Sequence, residues 1–186
     1  MNTEAVNRGY LKIEGAVRAF NFDFHNKTVL DIGSSTGGFT ECALKHGASK
    51  VIAVEKGSHQ MKAPLRFDPR IDLHEKTDIF NYKCNAVDVI VADVSFISLK
   101  PILRHAKNNL ADSHTEFLVM LKPQFEAFPK ELKNGVVKNE TIRRNIIKDF
   151  EFWLKQNRFI IINKRDNSLH GKTGNIERFY YLKLAK

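Results

Sequence analysis

The chain has 186 residues, the size of one ordinary domain. No linker-like stretch divides it, so a single domain over 1–186 is expected. Its 42% hydrophobic content, with 14 Phe, supports a proper core, and 27% charged residues is not a disorder-like composition. Two cysteines, Cys42 and Cys84, exclude a disulfide scaffold and suggest a reducing compartment. A formal net charge of +9 fits a polyanionic partner, nucleic acid before all others. No apolar run approaches the ~18 residues of a membrane helix. The opening MNTEAVNRGY lacks the apolar core of a signal peptide. A cytoplasmic location without a membrane partner is therefore expected.

In chain order, Leu11, Ile13, Ala16, Val17 and Phe20 recur at helical spacing, which predicts a helix over residues 8–20. Thr28 to Asp31 reads as a strand running into Gly33. Phe39 to His46 reads as a helix closed by Gly47. Val51 to Val54 is a second strand, ending at Glu55. Residues 59–67 suggest a helix stopped near Pro69, and Ile71 to His74 a weak strand. Val87 to Ala92 is a strong strand, ending at Asp93. Leu99 to Leu110 is a helix with Pro101 in its first turn, where a missing N–H costs little. Glu116 to Leu121 is a strand ending at Lys122. Thr141 to Gln156 is the longest helix, with Thr141 as its expected cap. Its basic and apolar residues suit a core-packed helix with a solvated face better than a membrane-surface helix. Phe159 to Ile162 and Phe179 to Leu182 are the last strands, joined without a helix.

This alternation predicts a mostly parallel sheet of seven strands with helices on both faces and an antiparallel hairpin at the C-terminal edge. Ligands in such sheets sit outside the carboxyl ends of the strands. Asp31, Glu55, Asp93 and Lys122 each fall just past a predicted strand end, so they are expected to converge on one crevice.

The turn Leu30-Asp31-Ile32-Gly33-Ser34-Ser35-Thr36-Gly37-Gly38-Phe39 joins a strand to a helix. Its glycines permit close approach of a ligand to the backbone. Its pattern is D-x-G-x-x-x-G-G, not G-x-G-x-x-G. A carboxylate there would repel a diphosphate but suit a cationic amino-acid ligand, which favours S-adenosylmethionine over a dinucleotide. Glu55 closes the second strand, where an acid about 20 residues on clamps ribose hydroxyls in Rossmann-like sites. Asp78 follows the third strand and is the candidate holder of the adenine amino group. Gly171 and Gly174 make a bendable loop ahead of Glu177, which opens the last strand. No metal site is read from the sequence.

With these motifs the chain resembles the methyltransferase domain of the TlyA-type hemolysin family, within the FtsJ-like (RrmJ-like) RNA 2′-O-methyltransferases. The strings that carry the resemblance are Arg8-Gly-Tyr-Leu-Lys12, Leu30 through Thr40, Asp93-Val-Ser-Phe-Ile-Ser-Leu99, Lys122-Pro-Gln-Phe-Glu126, Gly135-Val-Val137 and Gly174-Asn-Ile-Glu177. They extend over most of the chain. The resemblance implies a Rossmann-like S-adenosylmethionine-dependent fold, with an N-terminal helical segment over 1–26 and the core over 27–186. It also implies a catalytic tetrad of Lys12, Asp93, Lys122 and Glu177. Read from the residues alone, Lys12 is a lysine whose stem lies along an apolar helix face. The family usually has Gly at position 10 and Asp at position 55, where this chain has Tyr10 and Glu55. Its full-length members carry an S4 RNA-binding domain ahead of the methyltransferase domain. These residues hold none, which leads to an expectation of weak RNA anchoring.

The expected activity is S-adenosylmethionine-dependent methylation of an RNA ribose 2′-hydroxyl, with ribosomal RNA as partner. Asp31, Gly33, Ser34, Ser35, Thr36, Gly37, Gly38, Phe39, Glu55, Asp78 and Asp93 are the expected cofactor contacts. Lys122 would contact the hydroxyl. A free lysine titrates near about 10.4, so accepting the proton requires burial or a second cation; Lys12 supplies one while Asp93 and Glu177 oppose it. Accepting the proton and merely steering the hydroxyl both remain open. A non-catalytic binding module, a dinucleotide oxidoreductase and a membrane-active hemolysin are the competing classes.

Overall fold

The computed structural model describes residues 7–169, 171 and 174–185. Helix α1 (Arg8–Phe20) precedes a seven-stranded sheet. The strands are β1 (Thr28–Ile32), β2 (Lys50–Val54), β3 (Ile71–His74), β4 (Val89–Ala92), β5 (Glu116–Leu121), β6 (Phe159–Asp166) and β7 (Arg178–Leu184). The remaining helices are α2 (Gly38–Lys45), α3 (Leu99–Asn109), the short α4 (Pro123–Glu126) and α5 (Glu140–Gln156). The sheet order is β3-β2-β1-β4-β5-β7-β6. The first five strands pair in parallel, and β7 runs antiparallel to both β5 and β6. The expected parallel sheet with a C-terminal hairpin is therefore present.

Side-chain alternation along the strands splits the core in two. Leu30, Ile32, Ile90, Ala92, Phe117, Val119, Tyr180 and Leu182 face α3 and α5. Val29, Val51, Val89, Val91, Leu118, Met120 and Phe179 face α1 and α2. Helix α5 buries Ile146, Ile147, Phe150 and Leu154 in the first of these clusters, as a core-packed helix does. Among the described residues, no helix is long and apolar enough to cross a membrane.

Three local expectations are corrected. Residues 59–67 form no α-helix, only a 3₁₀ turn over Leu65–Phe67. Pro64 removes a backbone donor in the middle of that short stretch and stops a helix from propagating. Helix α5 begins one residue before Thr141. Its cap is Asn139, whose side-chain oxygen accepts from the N–H groups of Thr141 and Ile142. Asp31 lies inside β1, not past its end.

Helix α1 docks on the start of α2 with almost no space between the backbones. A Cβ on Gly38 would stand 2.6 Å from the Tyr10 nitrogen and 2.8 Å from the Gly9 carbonyl carbon. Asn7, the cap of α1, reinforces the contact by donating from Nδ2 to the Thr36 hydroxyl at 3.0 Å. Tyr10 stays within the helix and lays its ring beside the Lys45 ammonium at 4.7 Å. Because the obstacle at Gly38 is backbone, Gly38→Ala is expected to push α1 outward. A loss of about 1–3 kcal/mol is expected, read as a lowered denaturant midpoint, whereas Gly15→Ala, with open space around its would-be Cβ, should not destabilise.

Candidate active site

Two adjoining cavities of about 620 Å³ each open at the carboxyl ends of the parallel strands. The first is lined by Gly33, Ser35, Glu55, Asp78 and Phe80, among others. The second is lined by the glycine turn, by Lys12, Asp93, Lys122 and Glu177, and by Gln124 and Phe125. Gly33, Ser35, Asp93, Ser95 and Phe96 border both cavities.

The four tetrad positions come from four elements and meet as two ion pairs. Lys12 Nζ stands 2.6 Å from Glu177 Oε2, and Lys122 Nζ stands 2.5 Å from Asp93 Oδ1. Lys122 also donates to Ser95 Oγ at 2.8 Å. The register explains one meeting: Leu121 faces Arg178 across β5 and β7, so Lys122 and Glu177 are the next residues outward on facing strands. Lys12 arrives on α1 through the close docking at Gly38. The side chains of Lys12, Lys122 and Glu177 are all at least nine-tenths buried, so their charges require these partners.

The motif strings brace one another. Glu126 accepts from Ser98 Oγ at 2.6 Å and from the Leu99 N–H at 2.7 Å. It thereby ties the string after β5 to the N-terminus of α3 and to the loop that carries Asp93, Ser95 and Phe96. Asn175 accepts from the Val137 N–H and donates to the Gly135 carbonyl, both at 3.0 Å, joining the Gly135 loop to the segment before β7. The buried Arg143 donates from Nε to the Ile176 carbonyl. The segment leading into Glu177 is thus held before the Glu177 side chain meets Lys12.

The expected cofactor contacts divide. Gly33, Ser35, Glu55, Asp78 and Asp93 line the first cavity, and Gly33, Ser34, Ser35, Thr36, Gly38, Phe39 and Asp93 line the second. Glu55 Oε2 accepts from the Ser35 N–H at 2.8 Å, and Oε1 accepts from the Gly57 N–H at 2.6 Å. Gln60 Nε2 also donates to Oε1, at 3.3 Å, so the accepting capacity left for a ligand lies mainly on Oε2. Asp78 pairs with Lys56 at 2.9 Å and accepts from the Phe80 N–H. Two residues are not brought to a cavity wall. Gly37, at φ +89°, faces Met61 and Leu65, and a Cβ there would meet the Leu65 side chain at 2.3 Å; substitution there would disturb the loop over the turn and not a ligand directly. Asp31 is fully buried between the sheet and α2, where it accepts from Thr40 Oγ at 2.6 Å.

Several wall residues escaped the sequence reading: Arg8, Ser95, Phe96, Gln124 and Phe125. Phe96 is the clearest, 92% exposed at φ +64°, with its ring centroid 5.3 Å from that of Phe125. Its place in the string Asp93 to Leu99 was the available signal, because exposure is not written in residue types. Of the basic residues flanking the loop before Glu177, which would add to the RNA-attracting charge, Lys164 and Arg165 are exposed at the end of β6, with Lys164 paired to Glu151. Lys172 lies outside the described residues.

Burial pushes the Asp31 carboxyl up to about 7, and the Asp93 and Glu55 carboxylates push in the same direction against the bond from Thr40. The unfolded chain loses this proton near about 4 and the folded protein only near 7. The unfolded state therefore binds fewer protons between these values, and stability falls as pH rises from about 4 to about 7. Asp31→Asn should remove that slope. Relative to the parent, the variant should gain about 4 kcal/mol between pH 4 and pH 8, measured by urea unfolding at both. Parallel pH profiles for the two proteins would contradict the assigned burial.

Comparison with known proteins agrees with this architecture. The family model of FtsJ-like methyltransferases matches residues 5–184. The 23S rRNA (cytidine-2′-O)-methyltransferase TlyA of Campylobacter jejuni is 37% identical over 179 residues, covering 95% of this chain and 70% of that protein. Hemolysin A of Brachyspira hyodysenteriae is 38% identical, covering 95% of this chain and 75% of that protein. A solved structure from Streptococcus thermophilus, provisionally assigned as a hemolysin, superposes with a TM-score of 0.92 at 31% identity, covering all of this chain and 69% of that one. An S-adenosylmethionine-dependent methyltransferase from Mesorhizobium loti shares the fold at a TM-score of 0.63 and 14% identity, over 91% of this chain and 96% of that one. With the family model spanning nearly its whole length, the chain belongs to the FtsJ-like methyltransferase family.

Proposed function

We propose that this protein transfers the methyl group of S-adenosylmethionine to a ribose 2′-hydroxyl of ribosomal RNA. The carrying observation is the pair of adjoining cavities with both lysine–carboxylate pairs on the wall of the second and Asp93 on the wall of both. The first cavity suits a nucleoside-sized group, and Glu55 and Asp78 on its wall are hydrogen-bond acceptors for ribose hydroxyls and an adenine amine. The Ser34 hydroxyl, buried without a protein partner beside the glycine turn, suits the amino-acid end of the cofactor. S-adenosylmethionine, when bound, supplies an electrophilic methyl carbon on its sulfonium.

The chain's own residues then have to hold the hydroxyl in line and manage its proton. Lys122 has three N–H bonds; Asp93 and Ser95 engage two, and the third is available to the ribose oxygen. Lys12, neutralised by Glu177, places a second cation in the same cavity for the ribose or its phosphate. The Phe96 and Phe125 rings on the cavity wall give an unstacked base a face to lie on. The relatives named for rRNA (cytidine-2′-O)-methylation support this reading over a non-catalytic binding module or a dinucleotide enzyme. The helix that resembled a membrane-surface segment spends its apolar face on the core.

The test is tritium-methyl transfer to ribosomal subunits and to naked ribosomal RNA, with the modified position mapped. Lys122→Ala is expected to keep S-adenosylmethionine affinity within about threefold and to lose about a hundredfold or more in turnover. Near-normal turnover in that variant would remove the tetrad assignment. RNA affinity should fall steeply with salt, as release of counterions from phosphates demands; a flat dependence from low to physiological ionic strength would show that the basic surface does not carry the binding.

A further inference from the structure

Away from both cavities, α1 and α2 bring together three side chains that the methyl-transfer reading does not use. Cys42 on α2 and His46, the residue capping its C-terminus, stand one turn apart, so they share a face. Glu14 faces them from α1, with Oε2 at 2.7 Å from His46 Nε2 and 3.5 Å from Cys42 Sγ. The sulfur, nitrogen and oxygen all lie within 4.8 Å of one another. Cys42 is fully buried, and its thiol points at a carboxylate oxygen. The other oxygen of Glu14, Oε1, is held by Arg18 Nε at 2.5 Å.

We propose that Glu14, Cys42 and His46 form a binding site for a divalent transition-metal ion of the zinc class. Thiolate, imidazole and carboxylate are the donor types that zinc takes, at bonds of about 2.0–2.3 Å. Tetrahedral bonds of that length set donor atoms about 3.3–3.8 Å apart; the Glu14–Cys42 separation of 3.5 Å falls in that range and the Glu14–His46 separation of 2.7 Å falls short of it. His46, with 32% of its side chain exposed, has room to move outward by the fraction of an ångström that turns its hydrogen bond into shared coordination. Arg18 supplies what a ligating carboxylate commonly has, a hydrogen bond on the oxygen that does not bind the metal. The fourth position is left to water on the exposed side of His46.

Binding involves no redox change. The Cys42 S–H bond breaks, its proton passes to solvent, a metal–sulfur bond forms, and the ion sheds water as His46 and Glu14 coordinate. The consequence for the fold is specific. Glu14 is two residues past Lys12 on α1, so the ion would pin to α2 the helix that presents Lys12 to Glu177.

The test uses the full chain, stripped with a chelator and titrated with Co²⁺ as the probe. One equivalent should produce a thiolate-to-cobalt charge-transfer band with tetrahedral d–d bands, and Zn²⁺ should bleach both. Cys42→Ser should abolish the charge-transfer band, whereas Cys84→Ser should leave it intact. His46→Ala, which keeps the thiol, and Arg18→Ala, which touches no ligand atom of the ion, should each weaken binding about tenfold or more. Zn²⁺ should raise the melting temperature of the parent and not that of Cys42→Ser, with circular dichroism reporting that each variant is folded. Absence of the band, or a band that survives Cys42→Ser and disappears in Cys84→Ser, would overturn the site.

Discussion

The pairing of Lys12 with Glu177 is the contact on which the rest of the site depends. Both groups are nearly removed from water, and a charge there is tolerated only with its partner in place; breaking such a pair by deleting one side costs about 3–5 kcal/mol. The partners lie at opposite ends of the chain, one on the first helix and one just before the last strand. The pair is thus a statement about global folding: α1 must dock and β7 must be in register before either charge is satisfied. The Gly9–Gly38 approach and the Asn175 and Arg143 bonds are the devices that achieve this.

The motif strings make physical sense as pairs. The string from Asp93 to Leu99 and the string from Lys122 to Glu126 share an ion pair, a hydrogen bond at Ser95, a ring contact and the Glu126 bonds to Ser98 and Leu99. Their specificity comes from this mutual contact as much as from chemistry. A lone β-strand end can carry an Asp or a Lys at little cost. Holding an exposed Phe at positive φ beside a second Phe needs a loop clamped at both ends, by β4 on one side and by the Glu126 cap of α3 on the other.

Much of this was legible from spacing. Alternating apolar runs gave the sheet and its hairpin, and the rule of strand ends located Glu55, Asp93 and Lys122. The rule failed at Asp31 because β1 extends one residue further than its apolar run, and a side chain one pleat earlier points into the core. Lys12 was beyond it altogether, since nothing local distinguishes a lysine that snorkels from one that crosses to Glu177; only the family resemblance marked it. The 59–67 segment carried a helix-like pattern, but Pro64 overrode it. Glu14, Cys42 and His46 were invisible for a simpler reason: a three-ligand cluster drawn from two helices has a recognisable i, i+4 half and a distant half with no spacing rule.

The reversal of β7 explains how a residue that opens a strand joins residues that close strands. In a wholly parallel sheet, the segment entering a strand lies on the side opposite the ligand crevice. Here β7 is antiparallel to β5, so its N-terminal end rises on the crevice side, and Glu177 reaches the level of Lys122 without a long excursion. The edge hairpin is therefore more than a way to finish the sheet. It places a carboxylate one residue ahead of β7 on an anchored backbone, with Asn167 N–H donating to the Glu177 carbonyl at 2.8 Å. A parallel seventh strand would put the same glutamate on the far edge of the sheet, and Lys12 would have no partner for its charge.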